Sequence, residues 1–141
     1  MATLAALGKP VVAARLDGEE IIWLTTVSSD GQPSSSPVWF HWDGETFLIL
    51  SRPTAGKLAN IAQNPRVSLH LEADAVGNDV VTLEGFAKLL PGTLDPARQA
   101  AYLAKYASGI TRLGTDPAEF LADFSSTVEV VPARVRLFVS E

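Results

Sequence analysis

Two Asp-Gly pairs, each lying between runs of β-forming residues, constrain the fold of this chain more than any other feature. They are Asp30-Gly31 in the segment SSDGQP and Asp43-Gly44 in the segment WDGE. Asp-Gly is the strongest short signal for a hairpin, because the tight turn needs residues that tolerate positive φ. The two pairs therefore predict three consecutive antiparallel strands, over Ile21–Val27, Ser34–Trp42 and Thr46–Ser51.

The rest of the chain alternates between further strands and short helices. A helix over Ala55–Gln63 is expected to end at Asn64-Pro65, because the residue before a proline avoids helical geometry. Two Asp-Pro pairs predict capped helix starts, with helices over Asp95–Ala107 and Pro117–Phe124. The remaining strands are expected over Arg66–Glu72, over Asp79–Leu90 with a bulge at Gly85, and over Ser126–Val139. Six strands with short helices between them favour a mainly β protein, a small antiparallel barrel with accessory helices.

Length and composition limit the kind of protein this can be. The 141 residues fit one domain spanning residues 1–141, and the absence of cysteine excludes disulfides and thiolate chemistry. The net charge is -5 and the basic residues are scattered, so nucleic acid is not an expected partner. No run of about 18 apolar residues occurs, so we expect a soluble, cytoplasmic protein without a membrane partner. The hydrophobic fraction of 47% is high for a small monomer and suggests a buried dimer interface.

Common catalytic and metal-binding motifs are missing. There is no G-x-G-x-x-G, no Walker loop and no H-E-x-x-H. His41 and His70 lie on predicted strands without a partner at metal-ligand spacing, so structural roles are expected for both. The serine run Ser34–Ser36 lies near His41 and Asp43, but it lacks the strained elbow of a hydrolase nucleophile, which argues against a catalytic triad.

The second predicted strand, SSSPVWFHW, carries aromatic residues on both faces. Alternation places Val38, Phe40 and Trp42 on one face and Pro37, Trp39 and His41 on the other. One face can line the barrel core, whereas the other must meet a helix, a partner subunit or a flat ligand. Proline removes a ladder donor and leaves neighbouring backbone groups free to bond elsewhere.

The segment ILSRPTAGKLANIAQNP, residues 49–65, combines a strand end with the start of a helix that carries one lysine. A lysine in the first turn opposes the helix dipole, so Lys57 needs another explanation. Thr54 is expected to cap the helix, and Gly56 allows an anion to approach the backbone. Free N–H groups and a lysine at a helix start are typical of a phosphate site, to which the hydroxyl of Ser51 could contribute. A solvated surface lysine is the alternative.

Taken together, the stretch from Trp23 to Glu72 resembles the pyridoxamine 5'-phosphate oxidase-like split-barrel flavoproteins. The resemblance is carried by TTVSSDGQPSSSPVWFHWDG, SRPTAGKLANI and NPRVSLHLE, is extended by DVVTLEGFAKL, and fades after about Leu90. More narrowly, the chain is similar to the actinobacterial group of coenzyme F-420 (deazaflavin)-dependent oxidoreductases.

This resemblance implies a six-stranded antiparallel split β-barrel that forms a homodimer, with a flavin-type cofactor in each of two interfacial clefts. The ring of the cofactor would lie along strand two, against Ser36, Pro37, Val38 and Trp39. Its phosphate would lie at the connection between strand and helix, against Ser51, Arg52, Thr54, Lys57 and, one turn further, Asn60.

Two departures from the family pattern bear on the activity. Relatives that bind FMN bring extra basic residues from the second strand to the phosphate dianion, whereas Ser34–Trp42 contains none. One lysine and one arginine suit the singly charged phosphodiester of F-420 better. The ending VRLFVSE also lacks the proline of the family's Arg-Leu-x-Pro motif, which argues against pyridoxal phosphate synthesis.

The leading hypothesis is an F-420-dependent oxidoreductase that transfers hydride between the reduced cofactor and an unsaturated small molecule. No side chain is required as a catalytic acid, because the chemistry belongs to the cofactor. The alternatives are an FMN-binding oxidoreductase of the same fold, a non-catalytic module that stores a flavin, haem or other planar ligand, and a dimeric scaffold whose cleft is empty.

Overall fold

The computed structural model describes residues 4–74, 76–92 and 94–138, in which a seven-stranded antiparallel sheet curls into a half-barrel. The strands are β1 Ile22–Val27, β2 Pro33–Val38, β3 His41–Trp42, β4 Phe47–Ser51, β5 Arg66–His70, β6 Val80–Leu90 and β7 Ser126–Phe138. Their order across the sheet is β2-β1-β5-β6-β7-β4-β3. The edge strands β2 and β3 are separated by only two residues of chain, so the connection itself brings the two edges of the sheet together.

The split-barrel fold class is confirmed, and the seventh strand arises because the strand predicted over Ser34–Trp42 is broken at Trp39 and Phe40. At this break the backbone of Phe40 bonds to a side chain. The hydroxyl of Tyr106 accepts the N–H of Phe40 at 2.8 Å. It also lies 2.9 Å from the carbonyl oxygen of Phe40 and 2.7 Å from that of Glu20, and it can donate to either. One buried hydroxyl therefore holds the bend between the two edge strands.

The predicted turns and the predicted bulge are confirmed. Gly31 and Gly44 have φ angles of 87° and 96°, which the tight turns require. The register between β6 and β7 shifts at Gly85, where Ala133 of β7 is the extra residue. A Cβ on Gly85 would lie 2.5 Å from the carbonyl oxygen of Val131, so only glycine fits this close approach.

Short helices pack around the sheet: a 3-10 helix Leu4–Gly8, α1 Pro10–Gly18, α2 Gly56–Gln63, α3 Pro96–Lys105, α4 Ala107–Arg112 and α5 Pro117–Asp123. The two Asp-Pro caps are confirmed, because Asp95 accepts the N–H of Arg98 and Asp116 accepts that of Glu119. No helix in the described ranges is long and apolar enough to cross a membrane.

Further differences from the prediction concern the start of the chain and the helix after Asp95. The sequence analysis predicts no element before Ile21, where the structure has the 3-10 helix and α1. The helix predicted over Asp95–Ala107 is shorter in the structure and is followed by α4. The predicted last residue of the final strand, Val139, lies outside the described residues.

The buried residues form two clusters, and the second predicted strand contributes to both. Val38 and Phe40 belong to the barrel core, against which Trp42 packs. Trp39 packs against a second cluster, the helix cluster, made of Leu48, Leu50, Tyr102, Tyr106, Ile110 and Phe120. The predicted separation of the two aromatic faces is thus confirmed, and the outer face meets helices α3 to α5.

Replacing Tyr106 with phenylalanine should destabilise the fold, because the buried N–H of Phe40 loses its partner. We expect the free energy of unfolding to fall by about 1–3 kcal/mol in urea titrations. Tyr102→Phe is the matched control, since the buried hydroxyl of Tyr102 has no hydrogen bond within the described residues. An equal loss in both variants would contradict the assigned role of the Tyr106 hydroxyl.

Candidate ligand-binding cleft

A cleft of about 390 Å³ opens where the end of β2, the start of α2 and the helices α3 to α5 meet. Six of the residues predicted to contact a cofactor line it: Pro37, Val38, Trp39, Ser51, Arg52 and Lys57. The other lining residues are mostly apolar or aromatic: Ile21, Leu50, Ala55, Tyr102, Leu113, Phe120 and Phe124. The volume is within the range of small-molecule sites, which are mainly apolar with a few polar groups at defined positions.

One wall of the cleft is a stack of aromatic rings. Trp39 lies parallel to Tyr106, with 4.4 Å between ring centroids and 4° between planes, and its ring is 5.5 Å from Phe120. Phe120 stacks in turn on Phe124 at 4.7 Å. Tyr102 lies at the base of this wall, and burial raises the pKa of its phenol. Such a wall suits a flat, weakly polar ring system.

Lys57 supplies positive charge to the cleft, as the second residue of α2. Its side chain is half-buried and has no hydrogen bond or ion pair within residues 4–74, 76–92 and 94–138. Burial lowers its pKa below the ordinary value, since desolvation disfavours the charged form. Helix geometry leaves the N–H groups of Gly56 and Lys57 without intrahelical acceptors. A cation and two donors without intrahelical acceptors therefore belong to the same helix start, a combination that is typical of anion sites.

Arg52 and Ser51 line the cleft but already have partners. The guanidinium of Arg52 forms an ion pair with Asp123 at 3.1 Å and lies 5.0 Å from the ring centroid of Phe124. The hydroxyl of Ser51 donates to the carbonyl of Arg52 at 3.0 Å. Of the two cationic residues that line the cleft, Lys57 is therefore the one whose charge is not balanced by a described residue.

Three predicted site residues do not line the cleft. Thr54 is exposed in a turn, and its prediction as the cap of α2 is wrong: the cap position is Ala55, without a side-chain hydrogen bond. The N–H of Ala55 bonds to the carbonyl of Arg52, so the turn places the helix start one residue later than predicted. Asn60 donates to the hydroxyl of Thr26 at 3.0 Å and thereby ties α2 to β1, and Ser36 lies on β2 opposite Leu24.

The residues that sequence reasoning missed come mainly from α3 to α5. The Asp-Pro caps located two of these helices, but no pattern indicated that Tyr102, Leu113, Phe120 and Phe124 would converge on the end of strand β2. The aromatic residues at helical spacing were the available signal, and they only identify a buried face.

The histidines are not part of a metal-binding group within the described residues, and Asp43 is bonded elsewhere. In the described part of the chain, no group of three His, Asp or Glu side chains is placed to hold a metal ion. Burial, and then nearby Lys105, lower the pKa of His41. The carboxylate of Asp43 accepts the N–H groups of the next turn, from Glu45 and Thr46, at 2.8 and 2.7 Å. Asp43 therefore caps the hairpin and does not orient a histidine.

Solved structures share this fold at low sequence identity. An F420 reductase is 24% identical with a TM-score of 0.68, covering 87% of this chain and 94% of that chain. A conserved hypothetical protein from Mycobacterium tuberculosis is 20% identical with a TM-score of 0.72, covering 93% and 84%. The heme storage protein HutZ from Vibrio cholerae is 18% identical with a TM-score of 0.66, covering 93% and 96%. At these identities the likeness concerns the fold alone.

A model of one protein family matches nearly the whole chain. The family is described as pyridoxamine 5'-phosphate oxidase, and the match covers residues 8–137. This range includes the cleft and all seven strands up to Leu137. The chain therefore belongs to the pyridoxamine 5'-phosphate oxidase family.

Proposed function

We propose that this protein binds coenzyme F-420 in the cleft and transfers hydride between the reduced cofactor and an unsaturated organic substrate. The observation that carries the proposal is that the half-buried Lys57, at the start of α2, has no partner among the described residues and lines a cleft with an aromatic wall. A cofactor with a phosphate and a flat ring system satisfies both features at once.

The charge available in the cleft favours F-420 over FMN. Lys57 has no ion pair with any residue that the structure describes, whereas the charge of Arg52 is shared with Asp123. One free cation balances a singly charged phosphodiester better than the dianion of FMN, because a second negative charge would remain uncompensated in a partly dry site. The F420 reductase among the structural neighbours supports the same choice.

In this proposal the protein positions the cofactor and excludes water. Lys57 and the first N–H groups of α2 bind the phosphate, while Trp39 and Phe120 pack against the ring. The bound group supplies the hydride chemistry. Among the described residues that line the cleft there is no histidine, aspartate or glutamate, and a hydroxyl or a water could deliver the proton.

FMN in the same cleft, with the same class of activity, is the alternative cofactor. A module that stores a flavin or haem without catalysis is the non-enzymatic alternative, suggested by the heme storage neighbour. Haem is less well matched to the cleft, since the described lining residues include no histidine, methionine or cysteine to serve as an axial ligand. The remaining candidate ligand is Tyr102, whose pKa is raised by burial, which disfavours the phenolate that would bind iron.

We also propose that the protein is a homodimer with the cofactor at the interface. Phe86 on β6 and Val131 on β7 are cross-strand neighbours that are 47% and 43% exposed. The guanidinium of Arg66 lies 5.7 Å from the ring centroid of Phe86. This exposed apolar pair with a flanking charge suits burial against a second copy of the chain.

The proposal of function is tested by titrating the purified protein with F-420 and with FMN, followed by fluorescence. We expect saturable binding of F-420 that is at least about tenfold tighter than binding of FMN, a difference of about 1.4 kcal/mol. Consumption of reduced F-420 with a panel of enones and quinones then separates an enzyme from a storage module. Saturable binding of FMN without binding of F-420 would overturn the choice of cofactor.

Lys57→Ala should weaken F-420 binding by about 10- to 100-fold, the scale of a hydrogen bond to a charged group. Lys57→Arg keeps the charge and should retain most of the affinity. Lys88→Ala removes the same charge from an exposed position on β6 and serves as the control. An unchanged dissociation constant in Lys57→Ala would remove this residue from the site.

Phe86→Glu should convert the dimer to a monomer, because a carboxylate would be buried against the same surface of the second copy. Sedimentation velocity measures the change. Val76→Glu, at another exposed apolar residue, is the matched control and should leave the mass unchanged. A wild-type protein that sediments as a monomer would contradict the dimer proposal.

A further inference from the structure

We propose that Gly109, on α4, is a specificity-determining residue of the cleft. Its missing side chain sets how far Trp39 projects into the cleft, and thereby how wide a ring system the cleft admits. The identity of the natural ligand rests on the proposed function, but the contact between Gly109 and Trp39 does not.

The edge of the Trp39 ring lies directly against the backbone of α4. A Cβ added at Gly109 would lie 3.0 Å from Cη2 and 3.1 Å from Cζ2 of Trp39. Such distances are tighter than nearly all real Cβ contacts, so the ring would have to move by a few tenths of an ångström. The third neighbour, a guanidinium nitrogen of Arg112 at 3.4 Å, belongs to a flexible, exposed side chain that can give way.

The surroundings of Trp39 decide the direction of that movement. One face of the indole is covered by Tyr106, and Phe120 packs nearby. Trp39 is half-buried, and its exposed part borders the cleft. Because Tyr106 and Phe120 already pack against the indole, we expect a push from α4 to move the ring towards the cleft and narrow the cleft.

The backbone conformation does not explain a glycine at this position. Gly109 lies within α4 and lacks the positive φ found at Gly31 or Gly44. Alanine is a better helix former than glycine, so helix propensity alone would favour alanine here. The close approach of Trp39 is therefore the physical reason for the missing side chain.

The test uses Gly109→Ala with two probes that are not redox cofactors, 1-pyrenesulfonate with four fused rings and benzenesulfonate with one. Protein labelled with 5-fluorotryptophan gives a 19F NMR signal for each of the three tryptophans, and Trp39→Phe assigns that of Trp39. Gly18→Ala is the matched control, because a Cβ there meets no atom within 4 Å.

We expect Gly109→Ala to shift the Trp39 signal, to weaken pyrenesulfonate binding about fivefold or more, and to change benzenesulfonate binding less than about twofold. In a Trp39→Phe background the same substitution should have little effect on either probe, since Gly109 acts through the indole of Trp39.

Four outcomes would overturn the proposal. They are a Trp39 signal that does not shift, equal losses of affinity for both probes, an effect of Gly109→Ala that persists without Trp39, and a wild-type protein that binds neither probe. Failure to bind F-420 and FMN would refute the proposed function while leaving this result intact.

Discussion

The hydrogen bonds of the Tyr106 hydroxyl to the backbone of Phe40 are the constraint on which the rest of the structure depends. They hold the backbone at Phe40, between β2 and β3, where the chain bends from one edge of the sheet to the other. The bend sends Phe40 into the barrel core and Trp39 outward onto the helix cluster. Tyr106 also stacks on one face of Trp39. It therefore contributes both to the bend between the two edge strands and to the wall of the cleft.

The position of Lys57 carries two physical costs that a bound anion would relieve. A positive charge at the start of a helix opposes the dipole, and partial burial disfavours the charged form and lowers the pKa. Neither cost is offset by a carboxylate among the described residues, whereas Arg52 is paired with Asp123. A phosphate between Lys57 and the first N–H groups of α2 would interact favourably with all of them. Positions where a sequence breaks a local rule are expected to be functional or strained.

Local signals in the sequence predicted most of the fold and about half of the site. Turn chemistry and period-two alternation located the hairpins and assigned Phe40 and Trp39 to opposite faces, because both depend only on near neighbours. The strand break and the start of α2 were missed, since a hydroxyl contributed by Tyr106 and a turn at Arg52 override the local pattern. The helical side of the cleft, including Phe120, depends on tertiary packing that no nearby residue encodes.

The most direct test of the central claim, that Lys57 holds the phosphate of the cofactor, is the pKa of Lys57 measured by NMR with and without saturating F-420. In the free protein this pKa should lie below the ordinary value of 10.5, because burial disfavours the charged amine. An adjacent phosphate stabilises the charged form, so binding should raise the pKa of Lys57. A pKa that F-420 leaves unchanged at saturation would contradict the account.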